Sequence, residues 1–180
     1  IAPALEEMRK RGAAFSGLLY AGLMVSRRGE PSVVEFNCRF GDPETQAVLP
    51  LVTGGLVNAM ESIALGNGVR PVSVDRGRSA VTTVLAARGY PDAPEKGAEI
   101  RIPTKLPEGV MVFHAGTRRD DGGLLRANGG RVLTVTGVAD DFERARELSR
   151  SGAEAIDFEG KLFRRDIGWR ESARRSTPDA

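Results

Sequence analysis

The chain has 180 residues, 41% hydrophobic and 28% charged, a balance that fits a folded protein able to bury roughly two-thirds of its unfolded surface. Its formal net charge of +2 is too small to argue for nucleic-acid binding, and its only lysines are Lys10, Lys96, Lys105 and Lys161. A single cysteine, Cys38, excludes an internal disulfide framework and fits a reducing, cytoplasmic setting, while no apolar run reaches the ~18 residues of a membrane helix.

Apolar Ala4, Leu5 and Met8 among charged neighbours predict a helix over 1–11, stopped by Gly12. The first residue is Ile1, and a chain opening on an uncapped helix is expected to be a piece of a longer polypeptide. Residues 16–27 read as a long strand, 28–31 as a turn, and 32–37 as the returning strand of a hairpin. A helix is expected over 44–51, with Asp42 as N-cap and Pro43 in its first position. Another is expected over 56–65, with Leu56, Val57, Met60, Ile63 and Ala64 on one apolar stripe and Gly66 as the stop.

The stretch 66–78, rich in Gly, Pro and Arg, marks a domain boundary. Beyond it strands are predicted over 79–88, 110–115, 124–127 and 131–138, with 90–97 a proline-containing loop. Asn128-Gly129-Gly130 tolerates positive φ, so 124–138 reads as a hairpin. Asp140 is the expected N-cap of an amphipathic helix over 140–151, closed by Gly152, and the polar residues from 171 to 180 read as a frayed end. The predicted fold class is α+β.

Chemistry concentrates in Glu35-Phe36-Asn37-Cys38-Arg39-Phe40-Gly41-Asp42-Pro43-Glu44-Thr45-Gln46. Strand alternation puts Val33, Glu35 and Asn37 on one face, and Val34, Phe36 and Cys38 on an apolar face expected to meet a core. Glu35 and Asn37 then stand roughly 7 Å apart along the strand, within reach of one hard cation; Mg²⁺ typically takes one or two protein oxygens and the rest from water and phosphate. The competing reading is a solvated strand face. The unbroken sequel of Arg39, Gly41, Asp42, Pro43 and Glu44 weighs towards a site. The one histidine, His114, is flanked by apolar strand residues and reads as a hydrogen-bonded structural group. No Ser-His-Asp or Cys-His arrangement, dinucleotide fingerprint or phosphate-binding P-loop is present, so any nucleotide must be held by another architecture.

Five motifs carry a resemblance across residues 19 to 170: Leu19-Tyr20-Ala21-Gly22-Leu23-Met24, the segment Glu35 to Gln46, Val112-Phe113-His114-Ala115-Gly116-Thr117, Asn128-Gly129-Gly130-Arg131-Val132-Leu133 and Arg165-Asp166-Ile167-Gly168-Trp169-Arg170. Together they resemble the phosphoribosylamine–glycine ligase (glycinamide ribonucleotide synthetase) family of ATP-grasp enzymes. The resemblance implies the C-terminal portion of an ATP-grasp domain over 1–68, a small mixed α/β C-terminal domain over 79–172 and a frayed tail over 173–180. It implies glycine, 5-phosphoribosylamine and ATP as substrates, glycyl phosphate as intermediate, a place in de novo purine (IMP) biosynthesis, and no nucleic acid or membrane partner. It also implies Mg²⁺ or Mn²⁺ held by Glu35 and Asn37. Arg39 is then placed to stabilise the transferring phosphoryl or acyl phosphate. Asp42, beside flexible Gly41, is assigned the substrate amino group from this chain rather than from the family. The family's upstream half, with the phosphoribosylamine-binding domain and the lysine that clamps phosphates, does not match any part of these 180 residues, so the chain alone is expected to be inactive. Two alternatives stand beside this: another ATP-grasp ligase such as a purine-pathway carboxylase, and a non-catalytic remnant or binding module.

Overall fold

The computed structural model describes residues 1–26 and 28–176. The chain divides into two compact units, one of Ile1–Thr45 with Val52–Val74, the other of Gln46–Leu51 with the chain from Asp75 onward. The six residues 46–51 therefore belong with the second unit, although the sequence groups them with the first.

In the first unit α1 (Ala2–Lys10) has Pro3 in its first turn and Arg9 and Lys10 in its last, and it buries no residue. Its i,i+3 and i,i+4 pairs, Arg9–Glu6 at 2.9 Å and Arg11–Glu7 at 2.8 Å, lie on the solvated surface. Strand β1 (Tyr20–Val25) starts four residues later than expected, after Gly17 at φ +149°, a conformation closed to most L residues. The predicted end of that strand at Arg27 lies outside the described residues. Strand β2 (Pro31–Asn37) returns antiparallel to it.

The register holds the first departure from simple alternation. Gly22 pairs with Glu35 but Leu23 pairs with Val33, so Val34 is an extra, bulged residue. Directly opposed residues point the same way, so Val33 goes with Leu23 and not with Glu35 and Asn37 as the alternation implied. The face expected against a core is open: Val34 is 67% and Phe36 40% exposed.

Helix α2 (Glu44–Val48) is followed by a 3₁₀ turn over Leu49–Leu51, not by three more α-helical residues. Pro50 explains the change, since it lacks the N–H that α-helix continuation requires. The helix begins at Glu44, so Asp42 and Pro43 are not the predicted N-cap and first helical residue. Short strands β3 (Val52–Gly54) and β4 (Ser73–Val74), both unforeseen, pair with each other. Between them α3 (Leu56–Ala64) turns Ala59 and Ser62 inward, leaving Val57 and Met60 of the expected stripe 77% and 51% exposed.

The second unit is built on β5 (Ser79–Ala86), β6 (Val110–His114), β7 (Thr117–Arg119), β8 (Leu125–Ala127) and β9 (Arg131–Ala139), with α4 (Phe142–Ala155) and α5 (Trp169–Ser176). The sheet order is β5-β9-β6, all antiparallel, and β7 pairs separately with β8. The predicted 124–138 hairpin does not form. Gly129 and Gly130 are not at positive φ, which a two-residue hairpin turn demands, and Asn128 N–H instead donates to Gly116 O at 2.7 Å. Strand β9 is buried on both faces and takes the centre, with Val132, Leu133 and Val135 fully buried.

Helix α4 packs on this sheet through two glycines. A Cβ on Gly137 of β9 would stand 2.2 Å from Ala145 O and 2.5 Å from Ser149 N, and one on Gly152 would meet Val110 and Val135 within 3 Å. Gly152 is thus a packing notch inside the helix, which continues to Ala155, rather than its terminator. The cap is Asp141, not Asp140, its carboxylate accepting from Arg144 N at 2.8 Å. The hydroxyls between α4 and the sheet are satisfied: Ser149 Oγ lies 2.8 Å from Thr83 Oγ1 and donates to Val135 O. Thr136 Oγ1 lies 2.8 Å from Thr82 Oγ1 and donates to Gln46 O at 2.9 Å, which ties the 46–51 segment to the sheet. Residues 173–176 are the last turns of α5 and not a tail, while 177–180 lie outside the described residues. The architecture is α+β, as predicted.

Candidate active site

The β1–β2 hairpin sets the candidate residues. Tyr20 opposes Asn37 and Gly22 opposes Glu35, so the side chains of Tyr20, Glu35 and Asn37 project from one face. Gly22 makes room there: a Cβ on it would stand 3.2 Å from Glu35 Cγ and 3.8 Å from Tyr20 Cε1. Glu35 is exposed and Asn37 half-buried, and neither side chain makes a hydrogen bond or ion pair among the described residues. Two unengaged oxygen donors on one face match a hard cation that fills its remaining positions with water and phosphate oxygens. Among the described residues no group of three or more His, Cys, Asp or Glu could form an all-protein metal cage, as zinc or calcium would require.

Beyond β2 the turn carries the remaining candidates. Arg39 is exposed; its Nη1 donates to Phe40 O at 2.8 Å, and it has no ion pair among the described residues. Gly41 is buried and Asp42 half-buried. Thr45 donates to Gly41 O from its N–H at 3.1 Å and from its hydroxyl at 2.5 Å.

Two residues without a predicted role join this group. Tyr20 Oη donates to Glu44 Oε1 at 3.1 Å. That hydrogen bond, and next the charge of Glu44, hold the Tyr20 hydroxyl above its ordinary pKa; Glu35 pushes the same way and Arg39 opposes. Glu35 and Arg39 therefore lie within electrostatic reach of Tyr20. The contact joins positions 24 apart, a separation no strand or helix period encodes; the one sequence signal is Gly41 followed by acidic Asp42 and Glu44. His114 sits in the second unit, its Nδ1 3.0 Å from Thr117 Oγ1, in a local side-chain contact.

Two family models match the chain. Residues 80–170 match the phosphoribosylglycinamide synthetase C domain, and residues 1–45 match the ATP-grasp (A) domain of the same synthetase. The chain belongs to the phosphoribosylglycinamide synthetase family. Glu35, Asn37, Arg39, Asp42 and Glu44 all fall in the ATP-grasp match. A phosphoribosylamine–glycine ligase from Chlorobaculum tepidum is 48% identical over 171 residues, covering 93% of this chain and 40% of that protein. The trifunctional purine biosynthetic protein adenosine-3 of Gallus gallus is 45% identical over 94% of this chain and 17% of its own length. The crystal structure of phosphoribosylamine–glycine ligase from Thermotoga maritima superposes with a TM-score of 0.75 at 47% identity, over 89% of this chain and 39% of that one. The chain thus spans about two fifths of the length of the single-function ligases that it matches. No described helix is long and apolar enough to cross a membrane.

Proposed function

We propose that this chain is the metal-bearing C-terminal portion of an ATP-dependent ligase that joins glycine to 5-phosphoribosylamine in de novo purine biosynthesis. The observation that carries this reading is the near-complete alignment of the chain with phosphoribosylamine–glycine ligases at 42–48% identity. The unengaged Glu35 and Asn37 on one hairpin face supply the donor set such chemistry requires. The single cysteine fits a cytoplasmic setting.

In the proposed reaction a glycine carboxylate oxygen attacks the γ-phosphorus of ATP, the bond to the β–γ bridging oxygen breaks, and ADP departs. The amine of phosphoribosylamine then attacks the carbonyl carbon of glycyl phosphate. The carbon–oxygen bond breaks, phosphate leaves with its electron pair, and the nitrogen loses a proton to give the amide of glycinamide ribonucleotide. Glu35 and Asn37 would hold Mg²⁺ or Mn²⁺, which when bound offsets charge on the phosphates. Arg39, with no ion pair among the described residues, places a fixed positive charge where the acyl phosphate builds up. Asp42 is the proposed acceptor for the substrate amino group, which it would orient for attack.

The test is glycinamide ribonucleotide formation from glycine, phosphoribosylamine, ATP and Mg²⁺. The full-length polypeptide carrying this chain is expected to turn over, and the 180 residues alone to be silent. Closure and positioning supply ~7–11 kcal/mol of such a barrier, and one lobe of a clamp cannot provide them. Turnover by the isolated chain would show that the essential site is misplaced.

A further inference from the structure

Tyr20 and Glu44 have no part in the chemistry above, yet they are joined to each other across the hairpin and the turn. Tyr20 opens β1 opposite Asn37, and Glu44 opens α2 just past the turn. Their 3.1 Å hydrogen bond closes a length of chain that contains Glu35, Asn37, Arg39 and Asp42. Glu44 also lies folded over Gly41. A Cβ at position 41 would stand 2.5 Å from Glu44 Oε2 and 3.1 Å from Glu44 Cδ, so the carboxylate fills the space any larger residue would need. Thr45 grips the carbonyl of the same glycine with two donors. Gly41 is therefore fixed by Thr45 at its carbonyl and by Glu44 over its Cα, while Tyr20 fixes Glu44.

The bond is solvent-facing, with Glu44 exposed and Tyr20 half-buried, and hydrogen bonds at such positions contribute little to folding. What it constrains is geometry. Resting on the ligase reading, we propose that Tyr20 and Glu44 are a pair of positioning residues that clamp the Gly41 turn and set where Arg39 and Asp42 present their charges. Neither is assigned a contact with the reacting atoms or the metal. Misplacing such groups by about 1 Å can cost up to the order of a hundredfold in rate, so a looser turn should be read in turnover and not in affinity.

The experiment uses the full-length ligase that carries this chain. Tyr20→Phe and Glu44→Ala are each expected to lower kcat about tenfold, with KM for glycine and ATP within twofold and Tm unchanged. Because the pair acts as one unit, the double variant should also lose about tenfold and not a hundredfold. Glu44→Gln, which still accepts from Tyr20, should recover most of the loss. Parental kcat in Tyr20→Phe and Glu44→Ala while Glu35→Gln is inactive would overturn the pair and leave the ligase reading standing. Multiplicative losses in the double variant would also overturn it. Parental turnover in Glu35→Gln would remove the site reading itself, and the pair's role with it.

Discussion

The β1–β2 hairpin and the central strand β9 are both rich in apolar residues, and they meet opposite fates. Eight of the nine residues of β9 are buried, its flanking hydroxyls have partners, and α4 lies so close that only glycine fits at 137. No residue of either hairpin strand is buried, and Glu35 and Asn37 have no side-chain partner among the described residues. Structure is stabilised where every polar group is satisfied and every gap filled, whereas chemistry needs groups left unengaged. Substitutions should therefore separate cleanly, those in the hairpin reading on turnover and those around β9 on folding.

The sharpest way to break that separation is Glu35→Gln in the full-length ligase. It keeps the shape and removes the charge, so turnover should fall roughly a hundredfold or more, several kcal/mol of transition-state stabilisation. Unfolding free energy should stay within about 0.5 kcal/mol of the parent, as for other exposed polar swaps. Turnover within threefold at saturating Mg²⁺ would return Glu35 to a plain solvated strand residue.

On the other side, Gly137→Ala should destabilise the chain by about 3 kcal/mol in urea unfolding, because its methyl group meets helix backbone that cannot move aside. A change under about 0.5 kcal/mol would mean that α4 is not seated on the strand as described. Lys161→Met tests the far end of the same helix. Lys161 Nζ donates to Ala153 O at 3.1 Å, Glu154 O at 3.2 Å and Ile156 O, satisfying carbonyls that α4 leaves open. Its loss should cost about 1–2 kcal/mol, visible as a lower urea midpoint at unchanged slope.

The smallest effect expected is at α5. Glu171 is held down to about 2 by hydrogen bonds from Arg174 and then Arg175. A depressed carboxylate stabilises the fold above its ordinary value near 4.5 and loses that contribution as pH falls towards 2. Carboxyl NMR should show Glu171 still ionised at pH 3.5, and Arg174→Ala should move its titration upward. Because the ion pairs lie at the surface, added salt should weaken the effect.

Much of this was legible in the chain itself, where the signal was local. The shared face of Glu35 and Asn37 follows from period-two alternation, and the strand over β5 follows from its β-branched run. What escaped depends on partners distant in sequence. A bulge at Val34 is invisible without the opposing strand, and Asn128-Gly129-Gly130 has hairpin composition without the positive φ that a hairpin needs. Gly152 has the composition of a stop but serves as a notch because Val110 and Val135 press on it. Tyr20 and Glu44 meet only once the hairpin has folded.

The route of the polypeptide has a consequence for how such proteins can be taken apart. Gln46–Leu51 belong to the unit that otherwise begins at Asp75, and the link is specific: Thr136 Oγ1 to Gln46 O, and Asp75 N to Leu51 O at 2.8 Å. The backbone passes from one unit to the other at residue 46, back at 52 and over again at 75. No single cut in the gene yields both units whole. A clone starting at residue 75 would express a sheet deprived of its own six-residue patch. Recombination that shuffles domains by joining gene segments end to end would inherit the same defect, so the two units are bound to travel together.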